Sequence, residues 1–158
     1  APMSEPQAAT GAKAPWHLWA IGIVGLLWNA IGATDYTMTQ TRNEAYLKAV
    51  TPEQLAYFSS VPAWAVAAWA IGVWGGVVGM LLLLLRKRAA VPVLLASLAG
   101  AALIFVHNFV LSEGMEVMGS SGAAFAGMII VIAAGLYWYA RLMRRKGVLG
   151  SDTNRRPA

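Results

Sequence analysis

Four stretches of this chain contain no Asp, Glu, Lys or Arg: Trp16 to Ala33, Val61 to Leu85, Ala89 to Leu111 and Val117 to Ala140, of 18, 25, 23 and 24 residues. At 1.5 Å per residue, each reaches across a hydrocarbon layer of about 30 Å as a helix. The one-sided helices of a water-soluble bundle return polar side chains to solvent at every turn, and these runs do not. Charged residues make up 12% of the chain, about half the share usual in a soluble domain. The expected fold is all-α and integral to a membrane: a bundle of four transmembrane helices over residues 16–146. Residues 1–15 and the basic tail 147–158 are expected to be unstructured, because neither carries enough apolar surface to offset the entropy of ordering.

Basic residues then orient the bundle. Lys13 precedes the first run, Arg86, Lys87 and Arg88 join the second to the third, and Arg141, Arg144, Arg145, Lys146, Arg155 and Arg156 follow the fourth. The opposite side holds only Arg42 and Lys48, against Asp35, Glu44, Glu53, Glu113 and Glu116. This asymmetry predicts both termini in the cytoplasm (N-in/C-in) and the other loops in the periplasm. The net charge of +5 is accounted for by topology and by contact with lipid, leaving no reason to invoke nucleic acid. Trp16, Trp19, Tyr137, Trp138 and Tyr139 fall at one membrane boundary, and Tyr36, Tyr57, Phe58 and Trp64 near the other, as interfacial belts do. The small residues Ala30 to Ala33 imitate a signal-peptide cleavage site. The weakly charged start and the Trp28-Asn29 interruption favour a permanent first helix instead.

Helices in lipid are held mainly by close packing at small residues. The second run offers Gly72, Gly75, Gly76 and Gly79 as two overlapping four-residue pairs; the first offers Gly22, Gly25, Asn29 and Gly32 on one stripe; and the third pairs Ala96 with Gly100. These stripes serve packing within the chain or a homodimer seam on the second helix. A weak echo links Ser59-Ser60-Val-Pro-Ala-Trp64-Ala to Ser120-Ser121-Gly-Ala-Ala-Phe125-Ala. Duplication of a two-helix hairpin and chance both explain it.

Polar groups within the apolar runs gather toward the side opposite the basic residues. Asn29 lies ~20 Å along the first helix and His107 ~24 Å along the third at helical rise, with Asn108 adjacent and Asp35, Tyr36, Glu113 and Glu116 just beyond. Such groups are costly in lipid unless paired or hydrated. Asn29, His107, Asn108 and Asp35, with Trp28 as an apolar wall, are therefore the candidate binding set; the plainer alternative is hydrogen bonding between helices. A metal at His107 with the nearby acids has no recognised ligand spacing. Bis-histidine haem is excluded because His17 begins the first helix at the opposite boundary. With no cysteine and no hydrolase, nucleotide or metalloprotease motif, no enzyme chemistry and no cofactor are expected. Between the first two runs, Thr51-Pro52-Glu53-Gln54 signals a helix start, predicting a short periplasmic helix from Pro52 to about Ser60. With Tyr46, Leu47 and Val50 it forms either an interfacial cap or a lid over the polar cluster.

The segment Trp28-Asn-Ala-Ile-Gly-Ala-Thr-Asp35-Tyr36-Thr-Met38-Thr, with Pro62-Ala-Trp64, Trp69-Ala-Ile-Gly-Val-Trp74-Gly and the Leu-rich run into Arg86, resembles small four-helix inner-membrane proteins of proteobacteria that are loosely labelled sugar transporters. The resemblance spans roughly residues 16 to 146 and brings no residue-level site with it. It implies transport of a small polar, sugar-like solute across the bacterial inner membrane. Four helices scarcely enclose a path, so transport further implies an oligomer, with Gly72, Gly76 and Gly79 as a candidate seam. The absence of a mid-membrane carboxylate separates the chain from small proton-coupled multidrug antiporters. The alternatives are an accessory or assembly subunit docked on a larger membrane complex and an outward-facing binding module.

Overall fold

The computed structural model describes residues 13–150, so residues 1–12 and 151–158, parts of the expected unstructured ends, lie outside the described residues. Six α-helices and one π-helical turn follow in order: α1 (Trp16–Gln40), α2 (Glu44–Leu47), α3 (Pro52–Ser59), α4 (Ala63–Leu84), α5 (Ala90–Val106), the π turn (His107–Leu111) and α6 (Gly114–Arg145). The described residues form no strand, only one isolated bridge between Lys87 and Gly150. Four segments, α1, α4, α5 with its π turn, and α6, are long and apolar enough to cross a membrane. This is the fold of a multi-pass membrane protein.

The helix boundaries follow local chemistry. Helix α3 begins at a complete capping box, in which Thr51 accepts from the Gln54 backbone and Gln54 reciprocates, with Pro52 in the first turn. Helix α1 outruns its apolar stretch and continues to Gln40. There Thr34 and Thr37 hydroxyls donate back to the carbonyls of Ala30 and Ala33, both at 2.8 Å, so polar side chains are satisfied within the helix. Helix α6 is likewise longer than its apolar run, at 32 residues, and is broken by Gly119 at φ 72°, ψ −178°, a conformation open to glycine. The break precedes Ser120-Ser121, as the end of α3 precedes α4 at Ser59-Ser60, so both echo segments enter a span from a helical interruption.

Helix α4 is the centre of the packing, flanked by α1 and α5, and α5 in turn carries α6. The glycine stripe of α4 is used inside the chain. A Cβ on Gly100 would lie 2.5 Å from the Ala68 carbonyl oxygen and 2.7 Å from the Gly72 nitrogen, so α4 and α5 touch backbone to backbone. Gly72, Gly75 and Gly79 face Gly100–Ala101, Ser97 and Leu94 of α5, while Gly76 receives Asn29 of α1. Ser97 Oγ donates to the Gly72 carbonyl at 2.6 Å, fixing the same seam. On α1, Gly25 faces Met80 and Leu136. These contacts place the Gly72–Gly76–Gly79 face between helices of one chain, where it is not free for a second copy.

The basic end is closed. Leu18, Met80, Leu83, Ala140, Met143 and Leu149 are essentially fully buried in one cluster, and His17 Nδ1 meets the Tyr139 hydroxyl at 2.5 Å. Residues 147–150, expected within an unstructured tail, fold back instead. Gly147 adopts φ 73°, Gly147 and Val148 donate to the carbonyls of Arg144 and Met143, and Val148 and Leu149 enter the cluster. This is a Schellman stop with its apolar contact. Arg86 Nε donates to the Val148 carbonyl at 2.9 Å, and the Gly150 amide donates to the Arg86 carbonyl at 2.7 Å, so the strap is tied to the α4–α5 turn.

Candidate functional site

Away from the basic end, α1 and α6, the two outside members of the row, make almost no direct helix contact. A cavity of about 1060 Å³ lies between them and the α4–α5 pair. Its cause is legible in side-chain size. Gly32, Gly76, Ser97, Ala101, Gly122, Ala126 and Ala133 line it, and small residues presented by several facing helices leave space that none can fill. Its floor reaches Leu94 and Leu136, next to the closed cluster, and its roof is built by Tyr46, Val50, Gln54 and Phe58 of the α2–α3 segment. That segment therefore lies over the polar cluster in the manner of a lid.

Four of the five candidate binding residues line the cavity: Trp28, Asn29, Asp35 and Asn108. Trp28, Gly32, Asp35 and Thr39 recur at helical spacing, so a single face of α1 supplies one wall. Asn29 Nδ2 donates to the Gly25 carbonyl at 2.8 Å, within its own helix. Its Oδ1 lies against Gly76, where an added Cβ would come within 1.9 Å, so only glycine admits the amide there. Among the described residues no donor reaches that Oδ1, and it is not sealed from the cavity. Trp28 meets Phe125 of α6 with ring centroids 6.1 Å apart, bridging the gap between the two outside helices. Beside this bridge, a wholly apolar crevice of about 430 Å³ runs between α1 and α6, walled by Ala20, Val24 and Ile132 among others.

His107, the fifth candidate, is buried but is not part of the cavity wall. It opens the π turn, with its ring edge-on to Trp64 at 5.5 Å and Nδ1 placed 3.1 Å from Asn108 Oδ1. Because a carboxamide oxygen only accepts, the proton of that bond sits on Nδ1. Tyr57 of α3 donates to the same Oδ1 at 2.8 Å and lies 2.7 Å from Ser112 Oγ, whose hydroxyl reaches the His107 carbonyl, also at 2.7 Å. Tyr57, His107, Asn108 and Ser112 thus form a latch joining the roof helix to the π turn. The π geometry widens the turn by one residue and leaves the His107 carbonyl to be taken by Ser112. Sequence reasoning passed over Tyr57 as a belt residue and did not reach Ser112, since the pairings span 51 and 55 positions.

Tyr46 closes the roof on the other side by donating its hydroxyl to Asp35 Oδ1. That bond, partial burial and the carboxylate charge together push the phenol up to about 12. Asp35 is half-buried, and among the described residues it has no other hydrogen bond and no ion pair. Among the described residues, no three His, Asp or Glu side chains gather closely enough to hold a metal ion. The two histidines are at opposite ends, His17 on Tyr139 and His107 on Asn108. The arrangement can enclose a small molecule in contact with an amide oxygen, a carboxylate and several aromatic rings. No family model matches the chain, no curated protein matches it, and no solved structure matches it.

Proposed function

We propose that this chain is a small-solute transporter of the bacterial inner membrane, with both termini cytoplasmic, and that the bundle cavity is the chamber in which the solute is held. The observation that carries this reading is the cavity itself. Its volume is at the upper limit of small-molecule sites, its wall combines apolar surface with convergent polar groups, and its roof is a short helical segment hung on two polar contacts. The orientation rests on the basic residues gathered at the closed end. On this reading the open, polar end faces the periplasm and the closed end must part to release solute. The α4 glycines are enclosed, so an oligomer would assemble on α6, whose Phe125, Val131 and Trp138 remain exposed. The same unburied face of α6 supports the second reading, an accessory subunit docked on a larger membrane complex.

Reconstituted proteoliposomes test the first reading. Uptake of at least one member of a panel of labelled neutral, cationic and anionic small solutes should exceed that of empty liposomes. Ala133→Trp, which fills the cavity from α6, should reduce it at least tenfold while the helical content is unchanged. Uptake indifferent to Ala133→Trp, or no uptake of any solute, overturns the reading. A native mass showing one copy bound to larger subunits would favour the docked subunit.

A further inference from the structure

The formal charges around the cavity are lopsided. Among the described residues that line it, only Asp35 is charged, and no Lys, Arg or His joins it. A carboxylate at the edge of an apolar chamber is costly without a counter-charge, and among the described residues its one hydrogen bond comes from the neutral hydroxyl of Tyr46 to Oδ1. Asn29 Oδ1, an acceptor that no donor reaches among the described residues, belongs to the same wall, which also carries the side-chain donors of Gln54, Asn108 and Ser121. The rings of Trp28, Trp69, Phe105 and Phe125 line the same cavity. Aromatic faces attract cations, most strongly where water is excluded. Asp35 lies two helical turns from Trp28 on the same face of α1, roughly 10 Å along the axis at helical rise. The apolar crevice between α1 and α6 adjoins the cavity at Trp28, Ile132 and Leu136, so an apolar body at the level of Trp28 has the bilayer beside it.

We infer that the cavity takes a lipophilic monocation, a protonated amine or quaternary onium, with its positive centre toward Asp35 and its apolar body among Trp28, Phe125 and the crevice. This names the ligand class of the chamber proposed above, and it rests on that chamber binding a solute. It departs from the sugar-like solute of the sequence resemblance. A sugar carries no charge, whereas the mostly apolar wall carries the Asp35 carboxylate with no cationic residue beside it among the described lining residues.

The test uses the full chain in nanodiscs of zwitterionic lipid, with empty discs subtracted, and the pair tetraphenylphosphonium and tetraphenylborate, which share shape and differ in sign. Saturable binding of the cation is expected, with none of the anion. Asp35→Asn keeps an acceptor for Tyr46 and should weaken cation binding at least tenfold. Asp35→Glu should stay within about threefold of wild type, and Glu113→Gln, which removes an acid outside the cavity, should leave binding unchanged. Equal binding of cation and anion, or wild-type affinity in Asp35→Asn, overturns the inference. Saturable binding of a neutral glycoside that is lost in Asn29→Leu, without cation binding, overturns the ligand class and leaves the chamber standing. Absence of saturable binding by cation, anion and glycoside alike overturns both. Should Asp35→Asn fail to fold, Trp28→Ala, which removes a ring and no charge, takes its place and should weaken the cation at least fivefold.

Discussion

The two ends of the bundle are built from the same helices and similar composition, yet one is solid and the other hollow. At the basic end, Leu18, Met80, Leu83, Met143 and Leu149 interlock, and the 147–150 strap seals what the helices leave open. At the opposite end the facing positions are Gly32, Ser97, Ala101, Gly122, Ala126 and Ala133, so the helices stand around a space and are joined by side-chain bridges, Trp28 to Phe125 and Tyr57 to Asn108. The lesson concerns side-chain volume more than polarity. In lipid, where little hydrophobic force draws helices together, a stripe of small residues produces close approach only when it meets a backbone, as at Gly72 and Gly100. Where small residues of three or four helices face one another, a chamber results.

The strongest challenge to this contrast is Gly100→Leu. Its side chain would collide with the backbone of Ala68 and Gly72, which cannot move aside singly, and a loss of about 3 kcal/mol is expected from forced separation of α4 and α5. Unfolding in mixed micelles would measure it, and a near-neutral result would mean that the seam is not a close contact. Next in size is a pair of truncations. Met143→Ala, in the solid end, should cost about 2 kcal/mol through lost packing, whereas Ile132→Ala, on the cavity wall, should cost about 0.5 kcal/mol or less. Equal costs would erase the distinction between the ends. Ser97→Ala removes the hydroxyl that bonds the Gly72 carbonyl and should cost about 0.6 kcal/mol, typical of hydrogen bonds between membrane helices.

The smallest effect is sought at the roof. The phenol of Tyr46 is raised from 10.0 to about 12 in the folded chain, so folding favours its protonated form. The contribution is full below pH 10, fades as pH rises through 12, and is absent where the phenolate forms in both states. Melting curves between pH 8 and 12 should show wild type losing more stability over that window than Tyr46→Phe, which has no proton to give up. Identical profiles would mean that the Tyr46–Asp35 contact does not hold the roof.

Much of this was legible in the amino-acid sequence. Uninterrupted apolar runs locate four spans because charge cannot be left in hydrocarbon, and the capping signal at Thr51 places α3 to within a residue, because a cap is a local hydrogen-bond pattern. Asn29, Asp35 and Trp28 could be selected as candidates since a polar or bulky residue at a known depth is conspicuous in an apolar helix. His107 meets the same criterion, and the structure sets it against Asn108 instead of on the cavity wall. The π turn rotates Asn108 to the cavity and leaves His107 behind it, and a change of helical winding leaves no periodic trace over five residues.

What the chain determines by itself is therefore where it crosses a membrane, which end is basic and which residues are too polar for their depth, all consequences of solvation residue by residue. Tertiary structure alone decides that the α4 glycines are consumed by α1 and α5, that residues 147–150 close one end, and that small residues scattered over four helices converge on a chamber lined by the Asp35 carboxylate. The reason is physical. Close approach and empty space are properties of two or more surfaces at once, and a glycine in sequence reads the same whether it lies against a backbone, an amide or nothing.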